Sequence, residues 1–178
     1  LMRLTNNQIN DQNSTGLDSH QDSFDFLSEK LTKNQHDVDQ IIAKISTFQV
    51  AIPSWALGAG GTRFARFSFY GEPSSLEQKI DDIGVIHSLT QTAGAISLHI
   101  PWDTPSDYSA IRQKADELNI KFDAVNSNTF QDQKEVKKSY KYGSLSNINQ
   151  SIREQAIQHN IDVIGIGDKL GSKGLTVW

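Results

Sequence analysis

Ser97-Leu98-His99-Ile100-Pro101-Trp102-Asp103 is a short alternating stretch that arrives at a histidine and is stopped by a proline. Taken with the two residues before it, Ile96, Leu98 and Ile100 share one face of an extended strand, and Ala95, Ser97 and His99 share the other. An apolar face opposite a small or polar one suits a barrel strand, greasy side under an outer helix and small side inward. His99 is then the last inward side chain before the loop, at the carboxyl end of the strand, where parallel α/β architectures place their chemistry.

Outward from that strand the chain alternates. Towards the amino terminus, residues 48–54 read as a first strand, with Phe48, Val50 and Ile52 on one parity and Trp55 on the other. A long loop follows, through Gly58-Ala59-Gly60-Gly61-Thr62-Arg63. Ser74-Ser75-Leu76-Glu77 then opens a helix with a capping-box start, and Leu76, Ile80, Ile83, Ile86 and Leu89 form its buried stripe. Beyond the central strand, Thr104-Pro105 reads as the cap and first turn of a helix whose stripe is Tyr108, Ile111, Ala115 and Leu118. Residues 121–125 form a third strand of ambiguous parity leading into Asn126-Ser127-Asn128-Thr129-Phe130. A loop of about twenty residues, longer than a connection alone needs, runs to a second capping box at Ser151-Ile152-Arg153-Glu154. Its helix carries Ile157, Ile161 and Ile164, with Gly165 and Gly167 unfavourable to its last turns. Residues 175–178, ending on Trp178, form a fourth strand.

Ahead of these units lie residues 1–47. The first 21, rich in Asn, Gln, Asp and Ser, read as an arm with little to bury. Helical spacing of Phe24, Leu27 and Leu31, then of Val38, Ile41, Ile42 and Ile45, predicts a helical extension packed on the main body. The division expected is therefore an arm and helical extension at 1–47 and an α/β body at 48–178. Strand-helix repetition with right-handed crossovers makes that body a parallel sheet. A (β/α)8 TIM barrel needs about 250 residues. These 178 hold about four of its strands, so the reading is an amino-terminal part of one; a complete four-stranded open sheet is the rival.

Composition narrows the function. Seventeen Lys and Arg against 21 Asp and Glu give a net charge of −4, without the cationic excess that phosphate neutralisation requires, so nucleic acid is not the expected partner. No run of about eighteen apolar residues forms a membrane span, and the start lacks a secretory core. With no cysteine there is no disulfide framework or thiolate metal site, and a cytoplasmic protein acting on small molecules is expected.

Trp55, His99 and Trp178 each end a strand on its small or polar parity, and Phe130 leaves the third strand at the same level. Together they predict an apolar wall with one polar handle, fit for a small polyhydroxylated ligand with a greasy edge. Other features carry less. The Gly58–Arg63 stretch lacks the Gly-Lys-Ser/Thr ending of a phosphate loop. Lys134, Lys137, Lys138 and Lys141 with Tyr140 and Tyr142 read as a solvated loop. The remaining histidines have no partners at metal-ligand spacing, and His99 and Asp103, four apart across a proline, do not pair as on a helix; no metal ligand is assigned.

Pro53-Ser54-Trp55, the segment 60–67, Leu98-His99-Ile100-Pro101-Trp102-Asp103, Asn126-Ser127-Asn128-Thr129-Phe130, residues 139–145 and residues 171–178 occur in that order. Together these segments resemble the amino-terminal part of L-rhamnose isomerase of the broad-specificity bacterial type, within the xylose-isomerase-like TIM barrels. The resemblance implies a usually tetrameric enzyme that interconverts aldoses and ketoses, L-rhamnose and L-rhamnulose among them, using a divalent metal, typically Mn2+. It implies a sugar-binding wall of Trp55, His99, Phe130 and Trp178, with His99 bonded to a sugar oxygen and assisting catalysis at ring opening. Phe64 would reach a neighbouring subunit's site. The metal ligands would come from strands beyond residue 178, so this part would be inactive alone. The alternatives are a non-catalytic α/β module that binds a ligand or partner through residues 58–67, or another enzyme on the same barrel, such as an epimerase.

Overall fold

A computed structural model describes residues 4–58, 70–133 and 136–178, and Phe64 and most of the glycine-rich stretch lie outside the described residues. The element order is α1 (Asn6–Lys33), α2 (Val38–Ser46), β1 (Ala51–Pro53), a 3-10 turn (Ser54–Ala56), α3 (Leu76–Thr90), β2 (Ala95–Ile100), α4 (Tyr108–Glu117), β3 (Lys121–Ser127), α5 (Gln150–Leu170) and β4 (Gly174–Val177). All strand pairs are parallel and the sheet order is the chain order, β1-β2-β3-β4.

The two parities of β2 are segregated as its alternation predicts. Ile96, Leu98 and Ile100 join Val125 of β3 and residues of three helices, Ile80 and Ile83, Ile111 and Ala115, Val163 and Leu170, in one hydrophobic core. All three crossover helices therefore bring their buried side chains to the same face of the sheet, as sequential right-handed crossovers require. Each Ile, Leu or Val so buried contributes roughly 1.5–3 kcal/mol of transfer free energy.

The ambiguous parity of β3 has a structural cause. Ile96 pairs with Phe122, but Leu98 pairs with Val125, so β3 carries one extra residue between the two. This bulge lets Phe122 and Val125, three apart, both face the helices. It also brings Asn126 into register beside His99.

Several expectations need correction. The segment read as an arm is helical: Thr5 and Gln8 form a capping box, and α1 then runs unbroken from Asn6. That segment also supplies contacts to the body, with Ile9 buried and the Asn13 amide donating to the Ser88 carbonyl at 3.1 Å. Phe24, Leu27, Ile42 and Ile45, expected to do the packing, are exposed. The first strand is shorter than 48–54, with Phe48 and Val50 exposed and Trp55 in the 3-10 turn.

Helix α4 starts later than Thr104-Pro105. Its cap is Asp107, whose carboxylate accepts from Ser109 and Ala110 N–H groups. Helix α5 starts earlier than the predicted box, capped by Asn149, and runs on through both glycines to Leu170. It buries Ala156, Val163, Gly167 and Leu170 and leaves Ile157, Ile161 and Ile164 exposed. Both rows have helical spacing, and close packing selects between them. A Cβ on Gly167 would lie 2.9 Å from Val125 Cγ2, so this glycine lets the helix approach β3.

Candidate functional site

Five rings gather where the strands end. The His99 imidazole, at the carboxyl end of β2, is stacked on the Trp102 indole with centroids 4.2 Å apart and planes at 21°. Trp55 meets it edge-on at 5.4 Å, and Phe130 does so at 5.9 Å. Trp178 extends the wall through an edge contact with Phe130 at 6.0 Å. Trp55, His99, Phe130 and Trp178 are thus brought into one contiguous wall, and Trp102 joins it. Phe130 and Trp178 are 38% and 56% exposed, whereas His99 is 4% exposed, so the wall is open on one side and closed around the imidazole.

His99 Nε2 is buried and has no hydrogen-bond partner among the described residues. An orphaned polar atom in an aromatic enclosure is costly unless something binds it. Burial pushes the His99 pKa down from 6.5 to about 4; nearby Asp103 opposes this, while Lys79 and His159 add to it. The imidazole is therefore neutral near pH 7, with one nitrogen able to donate and the other to accept.

Asp103 is 2% exposed and does not touch the imidazole in the manner of a catalytic dyad. Its Oδ2 accepts from the His99 main-chain N–H at 2.8 Å and from the Ser54 hydroxyl. Its Oδ1 pairs with Lys79 of α3 at 2.7 Å, and Asp103 N–H donates to the His99 carbonyl at 2.9 Å. The other half of the wall has its own tie, the Thr129 hydroxyl donating to the Trp178 carbonyl. Asn126, also buried, donates to the Leu98 carbonyl at 2.8 Å, fastening the ends of β2 and β3 together.

Sequence reasoning named four of the five rings and overlooked Trp102, though it lies inside the stretch that decides the fold. Its signal is a turn: a carboxylate four residues past His99, across a proline, folds the chain back so that residue 102 returns over residue 99. Ser54 and Lys79, in contact with Asp103, carried no signal of their own. In the basic loop Lys137, Lys138 and Lys141 are exposed, as a solvated loop requires. Tyr140 is buried with its N–H on Asp132, and Lys138 is tied to Gln155 of α5 through its main chain.

Among the described residues no three His, Asp or Glu side chains group as a metal site, and no helix is long and apolar enough to cross a membrane.

The architecture is that of an α/β protein with a parallel sheet whose polar-aromatic mouth lies at the carboxyl ends of the strands. No protein-family model matches the chain. Over 177 residues, 99% of its length, it is 43% identical to a protein of Rhizobium meliloti (strain 1021) named a probable sugar isomerase. Over 152 residues, 85% of its length, it is 51% identical to a protein of Mesorhizobium japonicum bearing the same description. The chain spans 41% and 35% of the lengths of these two relatives.

Proposed function

We propose that this chain is the sugar-binding amino-terminal part of an aldose–ketose isomerase built on a (β/α)8 barrel. The observation that carries the reading is His99 Nε2, buried and unpartnered amid Trp55, Trp102 and Phe130. A neutral imidazole there takes a hydrogen bond with a sugar oxygen, while the rings pack against the C–H face of the sugar. Sequential strand order with all crossover helices on one face supports a barrel rather than a doubly wound sheet, whose strand order reverses and whose helices cover both faces. The relatives named as probable sugar isomerases support the reaction class.

Within that reading the sugars are L-rhamnose, L-rhamnulose and their relatives, and the whole enzyme is a cytoplasmic homotetramer with Phe64 reaching a neighbouring site. His99 binds the substrate and assists ring opening by hydrogen-bonding to the oxygen released. The described residues do not fit a divalent metal such as Mn2+, whose ligands we place beyond residue 178, so the only work assigned to this chain is binding and orienting the sugar.

Titration of the 178-residue chain with L-rhamnose, followed by the NMR signals of His99, tests the reading. Saturable perturbation is expected, weakened at least tenfold in His99→Gln and Trp55→Ala. No response to any aldose or ketose would overturn the sugar assignment and leave a module of another kind. Aldose–ketose conversion by the chain with Mn2+ would overturn the placement of the metal ligands.

A further inference from the structure

Three of the five rings in the wall are keyed to a single buried carboxylate. Ser54, which donates to Asp103, directly precedes Trp55. The His99 main chain donates to the same oxygen. Trp102 is the residue immediately before Asp103, held over His99 by the turn that the Asp103 N–H closes onto the His99 carbonyl. Lys79 reaches this carboxylate from α3, across the loop that separates β1 from that helix. The Lys79 side chain is 12% exposed and that of Asp103 is 1% exposed, so the pair is removed from water and has few other geometries to adopt.

We propose that Asp103 is the positioning residue of the sugar-binding wall, fixing Trp55, His99 and Trp102 as one unit, with Lys79 as its obligatory counter-charge. Burying an ion pair rarely adds stability over an apolar pair of like volume. What Asp103 supplies here is placement: two acceptors in one group link the end of β1, the end of β2 and α3. The carboxylate binds the main chain of His99 and leaves the imidazole Nε2 to the ligand, so it orients the ring without occupying it. The charged groups that act on that imidazole are Asp103, Lys79 and His159, from the β2 turn, α3 and α5.

The inference rests on His99 being the group that meets the sugar, but its test reads the imidazole without sugar, so the two ideas fail separately. The experiment is NMR titration of His99 in the whole chain, in Asp103→Asn, in Lys79→Met and in the double variant. Asp103→Asn keeps an acceptor for the His99 N–H but loses the anion, so the His99 pKa falls. Lys79→Met removes the cation, so it rises. In both single variants the His99 ring protons move downfield as the stack on Trp102 loosens. The double variant, with no unpaired buried charge, folds even where a single variant does not; its His99 pKa returns towards that of the parent chain. Variants that lose thermal stability but leave His99's pKa and ring-proton shifts unchanged would overturn the proposal and make Asp103 a purely structural tie. Equal shifts of the His99 pKa in the same direction in both single variants would overturn it as well.

Discussion

The imidazole of His99 lies flat on the indole of Trp102, three residues further along the chain, with ring centroids 4.2 Å apart. Pro101 ends the strand and buried Asp103 closes the turn that makes this possible, its N–H on the His99 carbonyl, and the indole N–H is anchored to Gln133 at 3.2 Å. The stack closes one side of the imidazole and leaves its edges to Trp55 and Phe130.

Replacing Trp102 by leucine removes that closed side. Such a ring pair contributes about 0.5–1.5 kcal/mol beyond the area it buries. Trp102→Leu is therefore expected to lower stability by roughly 2–4 kcal/mol, within the range of aromatic truncations. It also raises the His99 pKa, since a less enclosed ring is less desolvated. Urea unfolding and NMR titration of the variant measure the two effects together. A stability loss with no pKa change would mean that the enclosure of His99 comes from its other neighbours.

The depressed pKa of His99 makes stability pH-dependent in a definite direction. The folded value, about 4, lies below the ordinary 6.5, so the unfolded chain binds the proton more tightly. Stability is accordingly unaffected above about pH 7 and declines as pH falls from 6.5 towards 4, by a total on the order of 3 kcal/mol at about 1.4 kcal/mol per unit. His159, whose pKa is also lowered by burial, contributes in the same sense. Urea midpoints at pH 5, 6, 7 and 8 check this, and His99→Gln is expected to flatten the acid side of the profile. An unchanged slope in that variant would assign the acid sensitivity elsewhere.

What was legible in the sequence follows from period and punctuation. The alternation of residues 95–100 gave the helix-facing side of β2 correctly, and Ile80, Ile83, Ile111 and Ala115 fell in the core as their helical spacing predicts. Parity also placed Trp55, His99 and Trp178 at one level, because strand ends in a parallel sheet lie at a common edge. Three things escaped. The bulge in β3 is invisible to a period-2 reading, since it is defined by the partner strand. The buried row of α5 is chosen by a backbone approach that only Gly167 permits, and spacing alone fits Ile157, Ile161 and Ile164 equally well. The role of Asp103 depends on Ser54 and Lys79, which lie 49 and 24 residues away and meet it only in the fold.

The start of α4 offers a direct comparison of two caps. Asp107 accepts from Ser109 and Ala110 N–H groups at 2.9 and 3.0 Å, whereas the Thr104 hydroxyl donates to the Pro101 carbonyl in the preceding turn. Asp107→Ala is expected to cost about 1 kcal/mol, the usual value of a lost cap, and Thr104→Ala distinctly less. Chemical denaturation of both variants decides the point; the reverse order would move the helix start back to Thr104-Pro105.

Gly165 and Gly167 sit two residues apart on α5, and the same substitution is expected to act oppositely at the two. A Cβ at Gly165 meets nothing within 4 Å, so alanine there only removes glycine's extra backbone freedom in the unfolded chain. Gly165→Ala should raise stability by roughly 0.5–1 kcal/mol. At Gly167 the added carbon would stand 2.9 Å from Val125 Cγ2, and Val125 is itself 2% exposed in the core. The valine has no room to retreat, so α5 must lift from β3, at a cost typical of overpacking, about 1–3 kcal/mol. The displacement would reach the site as well, because Val125 is followed by Asn126, which ties β3 to the strand carrying His99. Gly167→Ala is therefore expected to shift the NMR signals of His99 while Gly165→Ala leaves them in place. Equal stabilisation by both alanines would mean that α5 does not pack on β3 through this glycine.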